Sequence, residues 1–414
     1  MALRKAQAVR HAPSERLKTE LAGLKLRSPC LIASSFLTGD IRRIRRADQA
    51  GAGGVSTKMA LLQVLYDFRA DILVHKKGMW LTAPGDKRIS IQEACRLVAQ
   101  AKEETGLAVF ANMLGPAADL EWWQELARQL EQAGADALEL DLSCPNLSAE
   151  LCGILGAPPG GCVAQYPELT LAVTRAVKEV VKIPITCKLT AMVGNIGQIA
   201  RACYEGGADA ITAINGLPAA PPIDIHGGGR PLYISLDRHN MGSICGPAIF
   251  PVACRAVADI SRNVPIPVIG CGGVSTWQDA VQMIMWGASA LEICTAVVLK
   301  GFRVIEEINR GLEAFMLQNG YSSLEEFRGL ALQYISPPDQ LRFKDIRIAV
   351  DMDKCNLCGL CLNLGQCLAL STDGSLINVD NSQCIMCGVC VQVCPRGAFT
   401  AHEETSTATT GHGH

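Results

Sequence analysis

Apolar and polar positions along this chain alternate between two kinds of block. Longer stretches such as "EWWQELARQLEQAG" (121–134) and "TWQDAVQMIMWG" (276–287) repeat apolar residues every three or four positions, the period of an amphipathic helix. Shorter runs are apolar almost throughout. Four times a helical stretch, a Gly-Ala stop and a short apolar run follow one another: "QAGAGGVSTK" (49–58), "QAGADALELDLS" (132–143), "EGGADAITAIN" (205–215) and "MWGASALEICTA" (285–296). The glycine suits the left-handed position that closes a helix. The runs are rich in Val, Ile, Leu and Ala, as strands buried on both faces are. Completing the pattern predicts eight strands, near 30–35, 53–58, 107–113, 137–143, 184–190, 210–215, 267–273 and 290–296. Eight strands separated by helices over about 250–300 residues imply an α/β fold, a (β/α)8 TIM barrel. A doubly wound open sheet would want a glycine-rich nucleotide turn after its first strand, and "CLIASSFLTGD" lacks one.

Two segments exceed ordinary loop length, 144–167 and 216–246, both rich in Gly and Pro. On the C-terminal side of barrel strands such insertions usually cover an active site. The expected organisation is an N-terminal arm (1–16), the barrel (17–334), a linker (335–349), a cysteine-dense domain (350–400) and a disordered polar tail (401–414) in which His412 and His414 are read as part of a floppy end. With 414 residues, 49% of them apolar and 19% charged, the chain can bury a large core. A net charge of −2 offers no basic stripe for nucleic acid. No apolar run reaches the ~18 residues of a membrane span, and the basic N-terminus lacks the apolar stretch of a secretory signal.

Nineteen cysteines change the picture. Eight lie between Cys355 and Cys394, the rest are scattered, and without an export signal a disulfide framework is not expected. A reduced, cytoplasmic, metal-binding protein fits better. "CNLCGLC" and "CIMCGVCVQVCP" carry the strongest motif of the chain, the second being a complete C-x2-C-x2-C-x3-C-P run. In bacterial ferredoxins the fourth cysteine of that run ligates the other cluster. One [4Fe–4S] cluster would then take Cys355, Cys358, Cys361 and Cys394, and a second Cys384, Cys387 and Cys390 with a cysteine of the first half. Gly365 stands where that cysteine is usual, so Cys367, two residues later, is expected to reach it through a longer turn. Failing that, the second cluster is a three-iron form or has a non-protein ligand. Four-thiolate zinc sites use paired C-x2-C rather than triples ending in Cys-Pro.

A fused ferredoxin module implies one-electron traffic, which a flavin can exchange with hydride chemistry. Flavin barrels commonly seat the phosphate after strands 7 and 8, where this chain has "GCGGV" (270–274) and "CTA" (294–296). Together with "LAGLKLRSPCLIAS", "STK", "SCPN", "CKLT" and "GPAIFPVA", these motifs resemble the dihydroorotate dehydrogenase superfamily. With its ferredoxin tail, the chain over about 17–400 is similar to the FMN and iron–sulfur part of dihydropyrimidine dehydrogenases.

That resemblance implies FMN and two [4Fe–4S] clusters, and it implies roles. Cys144 matches the acid/base that exchanges a proton with one carbon while the flavin exchanges a hydride with its neighbour; a thiol titrating near 8.5 suits the task. Simple burial is the competing explanation, since cysteine is among the most buried residues. Lys58, Lys188, Asn112, Asp141 and Asn215 match positions around the flavin ring, and Ala33, Ser34, Gly246, Gly272, Gly273, Cys294 and Thr295 complete the implied cofactor set. Asp141, Asn146, Asn215 and Gly216 match substrate positions. Asp141 replaces a family asparagine, Gly216 a threonine and Cys245 a serine, while "MWLTAPGDKRIS" lacks a further asparagine of the family. A carboxylate only accepts hydrogen bonds whereas an amide also donates, so these departures bear on the substrate.

The implied activity is reduction of an activated C=C bond, or its reverse, in a pyrimidine such as uracil or thymine or in a similar nitrogen heterocycle. Electrons would come from an NAD(P)H-oxidising flavoprotein subunit or a soluble ferredoxin, within a homodimer or heterotetramer. Dihydroorotate oxidation is the alternative enzyme reading, and an electron-transfer subunit with a non-catalytic flavin barrel the alternative from another class.

Overall fold

A computed structural model of the chain describes residues 13–64, 71–75, 79–83, 87–144, 160–235 and 242–403. It divides into two compact units, Met1–Ile335 and Ser336–His414.

The first unit holds all eight strands that the hydrophobic pattern predicts: β1 (Cys30–Ile32), β2 (Gly54–Ser56), β3 (Ala108–Met113), β4 (Ala137–Asp141), β5 (Ile185–Leu189), β6 (Ala210–Ala213), β7 (Val268–Cys271) and β8 (Ala288–Ile293). Each pairs in parallel with the next, and β8 returns to β1 through Leu291–Cys30 and Ile293–Ile32, closing the barrel. The helices between them are α1 (Ile41–Gln49), α2 (Ile91–Glu104), α3 (Leu120–Gln132), α4 (Pro167–Lys178), α5 (Ile196–Glu205), α6 (Phe250–Ser261), α7 (Trp277–Met285) and α8 (Arg303–Asn319). Local chemistry sets their starts. Ser90 with Glu93 and Thr276 with Asp279 make capping boxes at α2 and α7, each satisfying backbone N–H groups the helix leaves orphaned. The glycines of the fourfold repeat, Gly51, Gly134, Gly207 and Gly287, all have positive φ, as a helix stop before a strand requires.

A hairpin, Thr19–Leu21 with Leu24–Leu26, packs Leu21 and Leu26 against Leu31, Phe110, Ala137, Ala210, Ile269 and Ala290, which begin or precede the strand centres. It plugs the N-terminal end of the barrel, leaving the C-terminal end open for chemistry. At that end the hairpin Asp71–His75/Met79–Ala83 and the strands Gly242–Cys245 and Leu217–Ala219 form a four-stranded antiparallel sheet. The 216–246 insertion was legible as a long segment; its partner hairpin between β2 and α2 was not.

In the second unit Ile346–Val350 pairs antiparallel with Phe399–Glu403, and Leu370–Thr372 with Ile377–Val379. Residues 346–349 and 401–403, assigned from sequence to the linker and the tail, are therefore strand. The reason is long-range: each segment finds its partner only at the far end of the unit. Among the described residues no helix is long and apolar enough to cross a membrane.

Candidate functional site

Side chains from the strand ends converge on one cavity at the open end of the barrel. Its wall includes Ala33 and Ser34 after β1, Lys58 after β2, Cys144 after β4, Lys188 of β5, and Asn215 and Gly216 after β6. It continues through Gly246, Gly272, Gly273, Cys294 and Thr295. Twelve of the positions expected from sequence thus meet in one place. Asn112 and Asp141 are buried but do not line the wall, and Asn146 lies outside the described residues.

Beneath the cavity is a polar layer that the strand pattern concealed. Glu139 of β4 accepts hydrogen bonds from Ser56 Oγ (2.5 Å), Asn112 Nδ2 (2.7 Å) and Thr212 Oγ1 (2.9 Å). Lys188 Nζ stands 2.5 Å from Glu292 Oε2 and 3.5 Å from Glu139 Oε2. Burial alone would raise Glu139, but the Lys188 charge and hydrogen bonds from Glu292, Ser56 and Asn112 hold it below the usual carboxylate range. Glu292 goes the other way: burial, then the charge of Glu139, push it up to about 8 against the pull of Lys188. Burial would lower Lys188, yet Glu139 and Glu292 raise it well above an ordinary lysine, so it is a permanent cation. Glu139 and Glu292 were missed because each sits in an apolar run; only their acidity within a buried strand could have flagged them.

Asp141 accepts from Asn215 Nδ2 (3.1 Å) and from the backbone N–H of Ser143 (3.2 Å). It acts on the cavity through Asn215 rather than by facing it, and burial raises its pKa. Gly216 and Cys245 explain each other, for a Cβ on residue 216 would lie 2.8 Å from Cys245 Sγ. The thiols of Cys245 and Cys271, both in the wall, are pushed up by burial, Cys245 to about 12. Arg88, which sequence reasoning passed over, is buried in the same wall with Nη2 3.4 Å from Cys144 Sγ.

The second unit repeats one loop. In "CNLCGLC" Leu357 has φ 55° and Gly359 φ 73°; in "CIMCGVC" Met386 has φ 55° and Gly388 φ 69°. A left-handed non-glycine residue at the same place in both is uncommon, so the two turns share a conformation beyond their cysteine spacing. Cys367, Cys384, Cys387 and Cys390 line one small cavity. The N–H groups of Leu357 and Ala398 donate to the sulfurs of Cys355 and Cys394, at 3.4 and 3.3 Å.

Residues 16–316 match the family model described as "Dihydroorotate dehydrogenase", and 377–400 the "4Fe-4S binding domain". The chain therefore belongs to the dihydroorotate dehydrogenase family, and it is an FMN and iron–sulfur oxidoreductase acting on CH–CH bonds. It is 36% identical over 324 residues to the dihydroorotate dehydrogenase B (NAD(+)) catalytic subunit of Pyrococcus abyssi, covering 77% of this chain and 99% of that one. It is 29% identical over 356 residues to the NAD-dependent dihydropyrimidine dehydrogenase subunit PreA of Escherichia coli K12, covering 83% and 84%. The fold matches a dihydroorotate dehydrogenase from Eimeria tenella solved with ferulenol, with TM-score 0.63, 17% identity and coverage of 77% and 89%.

The residues present suit the flavin that membership implies. A Cβ at Gly273 would lie 2.7 Å from Phe250 Cβ and 2.8 Å from the Gly246 carbonyl oxygen, so this turn must present bare backbone, as an anion cradle does. Asn112 Oδ1 is buried with no hydrogen-bond partner among the described residues.

Proposed function

We propose that this chain is a catalytic subunit that interconverts a pyrimidine, or a similar nitrogen heterocycle, with its dihydro form. The observation that carries this reading is Cys144 in the wall of the same cavity as Lys58, Lys188 and the glycine turn at 272–273. FMN, when bound, accepts or delivers the hydride. Lys58 and Lys188 hold positive charge in the cavity wall, where it would stabilise the anionic reduced form of a bound flavin. Gly246, Gly272, Gly273, Cys294 and Thr295 would hold the phosphate, and Ala33 and Ser34 would complete the cofactor site. Cys144 exchanges the proton at the carbon next to the one that exchanges hydride. Asn215, oriented by Asp141, offers hydrogen bonds to the substrate, and Gly216 leaves it room.

Two [4Fe–4S] clusters would relay electrons from a separate NAD(P)H-oxidising flavoprotein subunit or soluble ferredoxin, in a cytoplasmic homodimer or heterotetramer. Cys355, Cys358, Cys361 and Cys394 hold one cluster; Cys384, Cys387, Cys390 and Cys367 hold the other. The matching left-handed turns and the cavity shared by Cys367 with Cys384, Cys387 and Cys390 support this assignment.

Dihydroorotate is the second substrate reading, favoured by the 36% identity to dihydroorotate dehydrogenase B catalytic subunits. Anaerobic titration of the purified holoenzyme tests both. Dihydrouracil or dihydrothymine should bleach the flavin, and Cys144→Ser should abolish the bleaching. Bleaching by dihydroorotate alone selects the second reading. Unaltered turnover in Cys144→Ser removes the acid/base assignment, and silence toward every CH–CH substrate would leave an electron carrier.

A further inference from the structure

Two rigid anchors bring Arg88 against Cys144. Arg88 directly precedes Ile89–Ser90, which pairs in parallel with Ala60–Leu61, and the Ile89 N–H donates to Met59 O at 3.2 Å. Ser90 then caps α2, so the backbone at residue 88 is clamped between a strand and a helix start. On the other side, the Ser143 hydroxyl donates to Lys188 O (2.8 Å) and the Ser143 N–H to Asp141 (3.2 Å), which fixes the backbone entering Cys144. Between these anchors the guanidinium Nη2 lies 3.4 Å from the sulfur, and both residues are buried, Arg88 3% and Cys144 4% exposed.

We propose that Arg88 is a positioning residue that holds Cys144 as a thiolate in the resting enzyme, poised to accept a proton from the substrate carbon. This rests on the acid/base reading of Cys144 given above.

Desolvation opposes a charged sulfur, and a guanidinium in contact opposes desolvation. Arginine suits the task because it stays protonated and presents several donors at once. Cations beside a cysteine are the established means of lowering a thiol's pKa. Lys58 and Lys188 line the same wall and add to the positive field; ionised Glu139, 3.5 Å from Lys188, and Asp141, behind Asn215, work against it, while Glu292 in the wall keeps its proton. The thiols of Cys245 and Cys271 are the internal contrast. Half-buried in the wall of the same cavity, they are pushed up and remain protonated. A base on Cys144 favours starting from the saturated substrate, because the C–H proton needs an acceptor before hydride can leave.

The test is the pH dependence of Cys144 alkylation in the full-length holoenzyme, using iodoacetamide and quantifying the Cys144 peptide by mass spectrometry. The parent midpoint should fall below the ordinary thiol value of about 8.5. Arg88→Met should raise it by about one unit or more, a roughly tenfold loss of reactivity at neutral pH, and Arg88→Lys should restore part of the shift. Flavin content checks that the variants fold. A parent midpoint at or above the ordinary value overturns the proposal even if the variants do not fold, and so does a midpoint unchanged in Arg88→Met. Because alkylation requires no turnover, this result is separate from the Cys144→Ser activity result that decides the acid/base assignment.

Discussion

Lys188 Nζ lies 2.5 Å from Glu292 Oε2, inside the barrel, with both side chains almost wholly excluded from solvent. The same ammonium is 3.5 Å from Glu139, so one cation serves two carboxylates. Glu139, with three further donors, is the ionised one. Glu292 keeps its proton, with a pKa raised to about 8 by burial and by its neighbour's charge. Like charges that share a site separate their titrations in this way.

The pH dependence of stability follows from that proton. Glu292 has a folded value above its ordinary 4.5, so between those two pH values the folded chain holds a proton that the unfolded chain releases. Its contribution therefore declines as pH rises through that window. Urea unfolding of the parent and of Glu292→Gln at pH 5 and pH 8 should show the parent losing stability relative to the variant, with a slope of at most ~1.4 kcal/mol per pH unit. Equal slopes would place the extra proton elsewhere.

Removing the cation should be far worse than removing one anion. Lys188→Met strands Glu139 without its charge partner, and breaking a buried pair on one side costs about 3–5 kcal/mol. Lys188→Met combined with Glu139→Gln, which removes the stranded anion, should recover part of that loss. The same unfolding measurement, read as a double-mutant cycle, gives the coupling.

Gly216 and Cys245 should behave as one unit. A side chain at 216 would press on the Cys245 sulfur, and such overpacking costs about 1–3 kcal/mol. Gly216→Thr should lower the melting temperature and flavin retention, and adding Cys245→Ser should restore part of both. Additive effects would mean that the two departures from the family pattern are unrelated.

Cys367 should be needed for one cluster and not for the other. The holoenzyme should carry about eight irons per chain if both [4Fe–4S] clusters are present. Cys367→Ala should lose close to half of that iron, while Cys95→Ala, on α2 of the barrel unit, should lose none. Iron analysis and the paramagnetic resonance of the reduced protein read this directly.

Much of the architecture was legible because its signals are local. Strands buried on both faces read as apolar runs, and the glycine stops at Gly51, Gly134, Gly207 and Gly287 mark where helices end. Lys58, Lys188 and Cys144 were legible because each ends or follows such a run, where barrel chemistry is displayed. Asp141 was legible as an anomaly but not as a partner of Asn215, 74 positions away.

By itself, the sequence determined the barrel, the cysteine spacing of the ferredoxin module and the residues at the strand ends, since periodicity and ligand spacing act between near neighbours along the chain. Tertiary structure alone decided which of those side chains meet. It placed Glu292 on Lys188 across 104 positions and Arg88 on Cys144 across 56. Charge can be shared or a thiol polarised only at contact distance, and closure of the barrel is what brings these strand ends that close.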